Sequence, residues 1–243
     1  MSPGSPNVVL VDAGGANIAS VRFALQRLGL DAPLTADPAR IRAADRVILP
    51  GVGAAGAAMR RLRELGLVEL LRSLEQPVAG VCLGLQLLFE SSTEGEDGRS
   101  AGSPTECLGL VPGEVRAMTP APGVRVPHMG WNVLAAGPAL DGPAGQDEAG
   151  RRVAALLRGA GAGAPAGAGG AEPRAYFVHS YAAEVSEHTL AVTTHGAPFA
   201  AMVRRGDVWG MQFHPERSGS LGAGLLAAFC GVPGPTPGSG GAR

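Results

Sequence analysis

The sequence predicts an α/β fold, in which a parallel sheet flanked by helices continues into antiparallel strands. In the first 90 residues, short apolar runs alternate with segments of helical spacing, which is the pattern of parallel β-α-β units. In the second half, between 113 and 213, strand-like runs follow one another with few helices between them. At 243 residues, the chain can bury about 70–75% of its unfolded surface and needs no disulfide or metal to fold.

The elements of the first half follow from apolar spacing. The run at 7–12 is short and apolar, as in a buried strand. Ile18, Val21 and Leu25 then recur at helical spacing, and Gly29 ends the helix. By the same criteria, strands are predicted over 7–12, 46–50 and 77–81, and helices over 17–28, 57–75 (broken near Gly66) and 83–90.

The second half is predicted to be mostly strand. Strands are expected over 113–118, 124–134, 174–181, 189–195, 198–205 and 207–213, and a closing helix over 218–230. The low-complexity segment 136–173 cannot bury enough apolar area to offset its ordering entropy. We therefore expect a single domain over 1–230 with a flexible Gly/Ala-rich surface insertion at 136–173, carrying a short helix at 148–158. We expect a disordered tail over 231–243.

The composition excludes several classes of protein. A formal net charge of -1 argues against a nucleic-acid binder. We find no apolar run of the roughly 18–20 residues that a membrane span needs, and no signal peptide at the start. Three cysteines without paired spacing fit the reducing cytoplasm. All 20 basic residues are arginine and 38 residues are glycine, which we attribute to a GC-rich genome, so glycine-rich matches are discounted.

Gly80-Val81-Cys82-Leu83-Gly84 carries the first chemical signal. An apolar strand runs into Cys82 and a helix leaves it, which is the cysteine form of the G-x-S-x-G nucleophile elbow. The tight turn requires small residues two positions before and after the nucleophile. A thiol at that turn lies near a helix N-terminus, where the dipole favours thiolate. The alternative is a buried structural cysteine beside packing glycines.

A thiol nucleophile needs a base and a group that orients the base. Among five histidines, His214 stands out because it ends a strand in His214-Pro215-Glu216. Residues i and i+2 of an extended chain face the same side, and Pro215 restricts the backbone between them. Glu216 can therefore reach one imidazole nitrogen while the other faces Cys82, giving a Cys–His–Glu triad. The alternative is a strand-end histidine with a solvated glutamate.

The remaining candidates favour structural interpretations. Cys107 and Cys230 are interpreted as core or surface residues. His188 and His195 have no metal-ligand spacing to other Cys or His, and His179 is interpreted as structural or as lining the mouth of the site. We therefore predict no metal and no cofactor.

Five motifs stand in order along the chain and together resemble one enzyme family. They are Pro50-Gly51-Val52-Gly53, Val81-Cys82-Leu83-Gly84-Leu85-Gln86, Pro127-His128-Met129-Gly130-Trp131-Asn132, Phe177-Val178-His179-Ser180-Tyr181 and Gln212-Phe213-His214-Pro215-Glu216-Arg217-Ser218-Gly219. The chain resembles the class I, triad-type glutamine amidotransferases, and within them the glutaminase subunits of imidazole glycerol phosphate synthase. The resemblance runs from about residue 7 to 230, apart from the insertion, and implies a flavodoxin-like parallel sheet.

The resemblance also implies a reaction. Cys82 attacks the side-chain amide of glutamine, His214 moves the proton to the leaving ammonia, and Glu216 holds the imidazole. The backbone N–H groups of Val52 and Leu83 would form the oxyanion hole. The positions that match those around bound glutamine are Gly51, Gly53, Gln86, Glu94, Ser180 and Tyr181, and Glu94 suits the substrate ammonium by charge. A solvated acid is the alternative for Glu94.

In this family the ammonia passes to a separate (β/α)8-barrel cyclase subunit of histidine biosynthesis. The resemblance thus implies a heterodimer, with Met129, Trp131 and Asn132 at the interface, where aromatic residues and Met are enriched. The alternative for Trp131 is an ordinary core residue. A free glutaminase would waste glutamine, so we expect the triad to be idle until the loaded partner binds. The Gly51-Val52-Gly53 strand end could withhold the Val52 N–H until then.

Some departures from the family pattern fall near the predicted partner face. The family usually has an aromatic residue after the aspartate of its first motif, which is absent from Asp12-Ala13-Gly14-Gly15-Ala16-Asn17, where a glycine is also shifted. An aromatic or acidic residue often follows Pro-Gly-Val-Gly in the family, and it is replaced here by Ala54-Ala55-Gly56-Ala57. These changes concern docking and not the triad. Three other readings stay open: a glutaminase subunit of another pathway, a non-catalytic binding protein on the same fold, and a cysteine hydrolase or peptidase.

Overall fold

The computed structural model describes residues 4–14, 18–159 and 172–235, and the following bounds refer to these. The strands are β1 (Val8–Val11), β2 (Leu34–Thr35), β3 (Arg46–Gly51), β4 (Val78–Cys82), β5 (Ser91–Glu94), β6 (Ser100–Glu106), β7 (Glu114–Ala117), β8 (His128–Val133), β9 (Ala135–Ala136), β10 (Arg174–His179), β11 (Tyr181–Ala183), β12 (Thr189–His195), β13 (Ala197–Arg205) and β14 (Val208–Met211). The helices are α1 (Ile18–Arg27), α2 (Pro38–Arg42), α3 (Ala55–Glu64), α4 (Val68–Arg72), α5 (Leu83–Leu88), α6 (Pro143–Gln146), α7 (Glu148–Leu157) and α8 (Gly219–Cys230). Short 3-10 helices lie at Pro138–Leu140 and Pro215–Arg217.

A mixed sheet of eight strands forms the centre of the fold. Its order is β2-β1-β3-β4-β14-β13-β12-β9. The first five strands pair in parallel, and β13, β12 and β9 continue the sheet antiparallel. With β14 as the fifth parallel strand, the order matches the 2-1-3-4-5 pattern of flavodoxin-like folds. The predicted fold class is therefore confirmed.

Both faces of the central sheet are buried, because the period-two alternation of each strand feeds two apolar clusters. Leu10 and Ile48 point into one cluster, together with α1 and α8 side chains. Val9, Val47 and Leu49 point into the other, together with side chains of α3, α4 and α5. Parallel strands with helices on both faces need apolar residues at successive positions, which explains the continuous apolar runs of the sequence.

Two small sheets stand beside the central one. β8 pairs antiparallel with β10, and β11, β7, β5 and β6 form a four-stranded sheet in that order. β10 runs directly into β11 through Ser180, so the two small sheets meet at this residue. No helix of the described residues is long and apolar enough to cross a membrane.

The predicted elements of the first half agree with the structure, and the break near Gly66 separates α3 from α4. The predicted strand at 174–181 is divided into β10 and β11. The structure differs from the prediction at β5 and β6, since no element is predicted over 91–106. That segment is polar and rich in Ser, Gly and Glu, so its pairing depends on β7 and not on an apolar pattern of its own.

The segment predicted as a flexible insertion is folded over its first half. β9 pairs with β12, and the helix expected at 148–158 is present as α7. Val153 and Leu157 are buried in a core cluster, because apolar residues recur here at helical spacing. The helix expected at 148–158 is therefore confirmed, and the elements over 135–146 are structure that the prediction did not include. The Gly/Ala run at 160–171 and the tail from 236 onward lie outside the described residues, so their predicted flexibility stays a prediction.

A charged pair holds α7 against the sheet. Asp147 begins the helix and accepts a hydrogen bond from the Gly150 N–H at 2.7 Å. Its carboxylate also pairs with both terminal nitrogens of Arg204, which is 9% exposed and lies over the Trp209 ring, 4.5 Å from its centroid. Removal of the carboxylate leaves a buried guanidinium without its anion.

Replacing Asp147 by Ala should therefore destabilise the protein by about 2–4 kcal/mol, because it removes a helix cap and the partner of a buried charge. Urea unfolding monitored by circular dichroism measures the difference. The matched control is Asp31→Ala, which breaks the exposed pair with Arg22 and should cost less than about 1 kcal/mol. Equal effects of the two substitutions would contradict the buried-pair argument.

Candidate active site

Three neighbouring parallel strands end at one place. β3 ends at Gly51 and β4 at Cys82, and these two residues are register partners. On the other side of β4, Met211 of β14 pairs with Val81, and His214 follows three residues later. The carboxyl ends of parallel strands share one edge of the sheet, so the thiol and the imidazole meet although 131 residues separate them in the chain.

The backbone at Cys82 forms the sharp turn expected of a nucleophile elbow. Its φ of 55° and ψ of -112° make it the one non-glycine residue with positive φ among those described. Gly80 and Gly84 flank it as predicted, and each has a reason to be glycine. A Cβ on Gly80 would lie 2.3 Å from the Gly84 carbonyl oxygen, and one on Gly84 would lie 1.8 Å from the Leu49 carbonyl oxygen.

The loop after β14 holds His214 at both its side chain and its backbone. The imidazole Nδ1 lies 2.9 Å from Glu216 Oε1. The His214 N–H donates to the Tyr176 carbonyl oxygen at 2.8 Å, and the Ser218 hydroxyl donates to the His214 carbonyl oxygen at 2.7 Å. The other imidazole nitrogen is left for Cys82, whose interaction helps to raise the pKa of His214, while the thiol itself donates to the Val178 carbonyl oxygen at 3.8 Å.

The surroundings of His214 favour its protonated form. Burial lowers the pKa of the imidazole, but hydrogen bonds and charge interactions with Cys82 and Glu216 outweigh burial and raise that pKa to about 10. The Glu216 side chain is 1% exposed, and its Oε2 has no partner among the described residues. The site is therefore built to stabilise an imidazolium between a thiol and a carboxylate.

A pocket of about 360 Å³ opens above the thiol. Most of the predicted glutamine-site residues line it: Val52, Gly53, Cys82, Leu83, Gln86, Glu94, Ser180, Tyr181 and His214. Gly51 packs behind the pocket instead, where a Cβ would lie 2.8 Å from the Gly84 nitrogen. Pro127, Val178, His179 and Gly98 complete the lining.

Two predicted substrate residues have structural partners as well. Gln86 is buried, and its Nε2 donates to the Tyr181 carbonyl oxygen at 3.0 Å and to Gln212 Oε1 at 3.2 Å. Glu94 accepts a hydrogen bond from the Ala55 N–H at 2.8 Å, at the start of α3. Burial raises the pKa of the Glu94 carboxyl, and the hydrogen bond from Ala55 lowers it, with a net increase. The solvated-acid interpretation of Glu94 does not fit this burial.

The strand β8 presents two large side chains to solvent. Met129 is 64% exposed and Trp131 is 53% exposed, so the interpretation of Trp131 as a core residue is wrong. Trp131 lies edge-to-face on Tyr176 of the neighbouring β10. The Asn132 side chain turns inward, where it bonds Thr194 and His128. Alternation along the strand explains the difference, since 129 and 131 share one face.

The sequence did not predict the contact between His128 and His179 or the contact between Gln86 and Gln212. The motifs that contain these residues were recognised, but no local pattern specifies that distant side chains bond each other. Cys107 and Cys230 are buried away from the pocket, and burial raises the pKa of each thiol to about 12. Within the described ranges, no group of three or more His, Cys, Asp or Glu side chains could hold a metal ion.

The raised pKa predicts a titration that can be observed directly. Because its folded-state pKa lies above the ordinary 6.5, protonated His214 stabilises the fold fully below pH 6.5, and this contribution is lost as the pH rises toward 10. Imidazole NMR should show His214 charged at pH 7–8, and Glu216→Gln should lower its pKa. His128, whose pKa burial lowers to about 4, is the internal control that stays neutral. Deprotonation of His214 below pH 6.5 would contradict this assignment.

Comparisons with known proteins agree on one family. The family "Glutamine amidotransferase class-I" matches residues 9–230. The imidazole glycerol phosphate synthase subunit HisH of Xanthomonas axonopodis pv. citri (strain 306) is 52% identical over 223 residues, covering 92% of this chain and 96% of that protein. The subunit of the same name from Xylella fastidiosa (strain Temecula1 / ATCC 700964) is 48% identical over 222 residues, covering 91% and 96%.

A solved structure supports the same fold. A crystal structure of a glutamine amidotransferase superposes with a TM-score of 0.62 at 18% identity, covering 93% of this chain and 99% of that one. By sequence match and by fold, the chain belongs to the class-I glutamine amidotransferases, in the family of the HisH subunits.

Proposed function

We propose that this chain is the glutaminase subunit of an imidazole glycerol phosphate synthase, acting in the cytoplasm in histidine biosynthesis. It hydrolyses L-glutamine to glutamate and ammonia and passes the ammonia to a cyclase subunit. One observation carries the proposal: Cys82, in a strained elbow, lines one pocket together with His214, which in turn bonds the buried Glu216. The names of the relatives with 48–52% identity support the specific pathway.

The first half of the reaction forms a thioester. The Cys82 sulfur attacks the side-chain amide carbon of glutamine with its proton already held by His214, as the raised pKa of that imidazole requires. His214 then gives a proton to the amide nitrogen, the C–N bond breaks, and ammonia leaves. The bond to Glu216 at 2.9 Å stabilises the imidazolium and keeps the ring oriented. In the second half, water attacks the thioester carbon, glutamate leaves, and the thiol is regenerated.

The tetrahedral intermediate needs N–H donors for its oxyanion. Leu83 is the first residue of α5, so its N–H has no partner within the helix. Val52 follows the β3 end next to Cys82 and lines the same pocket. Each such donor is typically worth about 3–4 kcal/mol in the barrier. Gly53 has a φ of +96°, a conformation open to glycine that permits the 52–53 peptide to rotate.

The pocket offers partners for the glutamine backbone. The Glu94 carboxylate is buried at the pocket wall. The substrate ammonium would lie beside it and compensate the cost of burying its negative charge. Ser180 and Tyr181 also line the pocket, at the joint between β10 and β11, and form what we call the Ser180–Tyr181 wall. Gln86 acts mainly through this wall, since its amide group bonds the Tyr181 carbonyl oxygen.

The exposed pair Met129 and Trp131 is the proposed docking site for a (β/α)8-barrel cyclase. Large apolar side chains of this exposure are typical anchors of an interface, and the edge-to-face contact with Tyr176 holds the Trp131 ring in place. Ala13 and Ala55 are buried, and Ala16 lies outside the described residues. The departures at Ala13 and Ala55 therefore do not change the exposed surface.

Release of ammonia from glutamine tests the proposal. We expect the purified chain to be slow alone and fast with the cyclase subunit carrying its ribonucleotide, because the Val52 N–H is withheld until the loaded partner binds. Cys82→Ala should lower the stimulated rate by at least about 10⁴-fold, as loss of a nucleophile does. Cys107→Ala, which removes a buried thiol away from the pocket, is the matched control and should keep the activity.

The outcomes separate the open alternatives. Full activity without partner would keep the glutaminase but contradict the gating. Activity with the partner of another pathway alone would reassign the pathway. Hydrolysis of peptides but not glutamine would indicate a peptidase, and no activity under any condition would favour a binding protein.

The docking site makes a separate prediction. Trp131→Ala should raise the dissociation constant for the cyclase subunit by about 30-fold or more, the usual effect of losing a central aromatic anchor. Titration calorimetry measures it. Leu34→Ala is the control, because Leu34 is also exposed. It lies on β2 at one edge of the central sheet, whereas β8 contacts β12 near the other edge. Equal binding by wild type and Trp131→Ala would remove this face as the docking site.

A further inference from the structure

Three side chains, two of them buried, form a hydrogen-bonded chain between β8 and the pocket wall. Asn132 Nδ2 lies 3.3 Å from His128 Nε2, and His128 Nδ1 lies 3.0 Å from His179 Nε2. His179 Nδ1 lies 2.8 Å from the Tyr181 carbonyl oxygen. We call Asn132, His128 and His179 the histidine chain. Both histidines are buried, and neither is part of the triad.

The direction of every bond in the histidine chain is determined at its two ends. A carbonyl oxygen only accepts, so His179 Nδ1 carries the hydrogen and His179 Nε2 accepts from His128 Nδ1. His128 Nε2 is then an acceptor for the Asn132 amide. The orientation of that amide is fixed independently, because Asn132 Nδ2 donates to the Thr194 carbonyl oxygen and Asn132 Oδ1 accepts from the Val133 N–H. All donors therefore point from β8 toward the pocket.

The histidine chain continues into the elements that carry the triad. The Tyr181 carbonyl oxygen, which accepts from His179, also accepts from Gln86 Nε2. Gln86 lies one helical turn after Cys82 in α5, and its Nε2 also donates to Gln212 Oε1, two residues before His214. A single hydrogen-bonded network, which passes through the Tyr181 main-chain carbonyl, thus joins strand β8 to the helix after Cys82 and to the segment before His214.

The rings are held by packing as well as by hydrogen bonds. The His128 ring is stacked on Phe177 with centroids 4.8 Å apart and on His195 with centroids 4.1 Å apart. Burial lowers the pKa of His128 to about 4 and that of His179 to about 3. Both rings are therefore neutral at physiological pH, as the alternating donors and acceptors of the histidine chain require.

We propose that His128 and His179 are positioning residues with two roles. They fix the Ser180–Tyr181 wall and, through Gln86 and Gln212, the geometry between Cys82 and His214. They also transmit the effect of a partner docked on β8 to this geometry. The inference rests on the proposed function, since it needs a partner on the Met129–Trp131 face. Met129 and Trp131 alternate along β8 with His128 and Asn132. Any shift of this strand on docking moves the first members of the histidine chain directly.

The test is a series of variants at His128 in the full chain. His128→Phe keeps a stacked ring but removes both hydrogen bonds. His128→Asn places an amide nitrogen near the Nδ1 position and keeps the donor toward His179, whereas His128→Gln keeps only an acceptor near Nε2. His195→Phe is the matched control, because it keeps the stack on His128 while its own ring nitrogen bonds the Arg125 carbonyl oxygen, outside the histidine chain.

For each variant, kcat and KM of glutamine hydrolysis are measured alone and with the cyclase subunit carrying its ribonucleotide, together with partner affinity and thermal unfolding. We expect His128→Phe to lower the partner-stimulated kcat by about threefold to tenfold for each link lost, following the net strength of one hydrogen bond. Partner affinity should be unchanged. His128→Asn should recover more of the stimulation than His128→Gln, and His195→Phe should behave as wild type.

Four results would overturn the inference: wild-type stimulation in His128→Phe, equal losses in His128→Asn and His128→Gln, a kcat loss in the whole series that follows only the loss of thermal stability, or a loss in His195→Phe as large as in His128→Phe. If His128→Phe does not fold, the comparison of the two amide variants still decides. A wild-type chain that no partner stimulates would instead contradict the proposed function, and the inference with it.

Discussion

The close approach of α5 to β3 is the constraint on which the rest of the site depends. Gly84 lies so near the Leu49 carbonyl oxygen that any Cβ would collide with it, and Gly80 is equally crowded by Gly84. Only with both residues as glycine can the chain leave β4 sharply and point the Cys82 thiol out of the sheet. The proposed oxyanion donors depend on the same approach, because it brings the start of α5 beside the end of β3.

Two kinds of histidine environment stand side by side around the pocket. His214 faces a thiol and a buried carboxylate, which stabilise its cation. His128 and His179 face aromatic rings, a carbonyl oxygen and each other, which favours neutral rings. The contrast follows from the partner atoms, since all three side chains are buried. One small region can therefore hold a protonated imidazole at His214 beside neutral imidazoles at His128 and His179.

The fold and the core of the site were predictable from local sequence, and the contacts around them were not. Short apolar runs specified β1, β3 and β4, and the elbow pattern specified Cys82. The strands β5 and β6 were missed because their residues are polar and pair only in the tertiary structure. Likewise, that Glu94 caps α3 and that Gln86 bonds Gln212 depend on segments far apart in the chain, and no periodicity encodes such pairs.

The different surroundings of the three cysteines have a practical consequence. Cys107 and Cys230 are closed off from solvent with strongly raised pKa values, whereas Cys82 opens onto a pocket. The chain also contains no lysine, the usual competitor for electrophiles. A small covalent probe, such as a nitrile or fluorine tag, would thus attach at one position of the unaltered protein. The proposed nucleophile itself would become the spectroscopic reporter of its pocket.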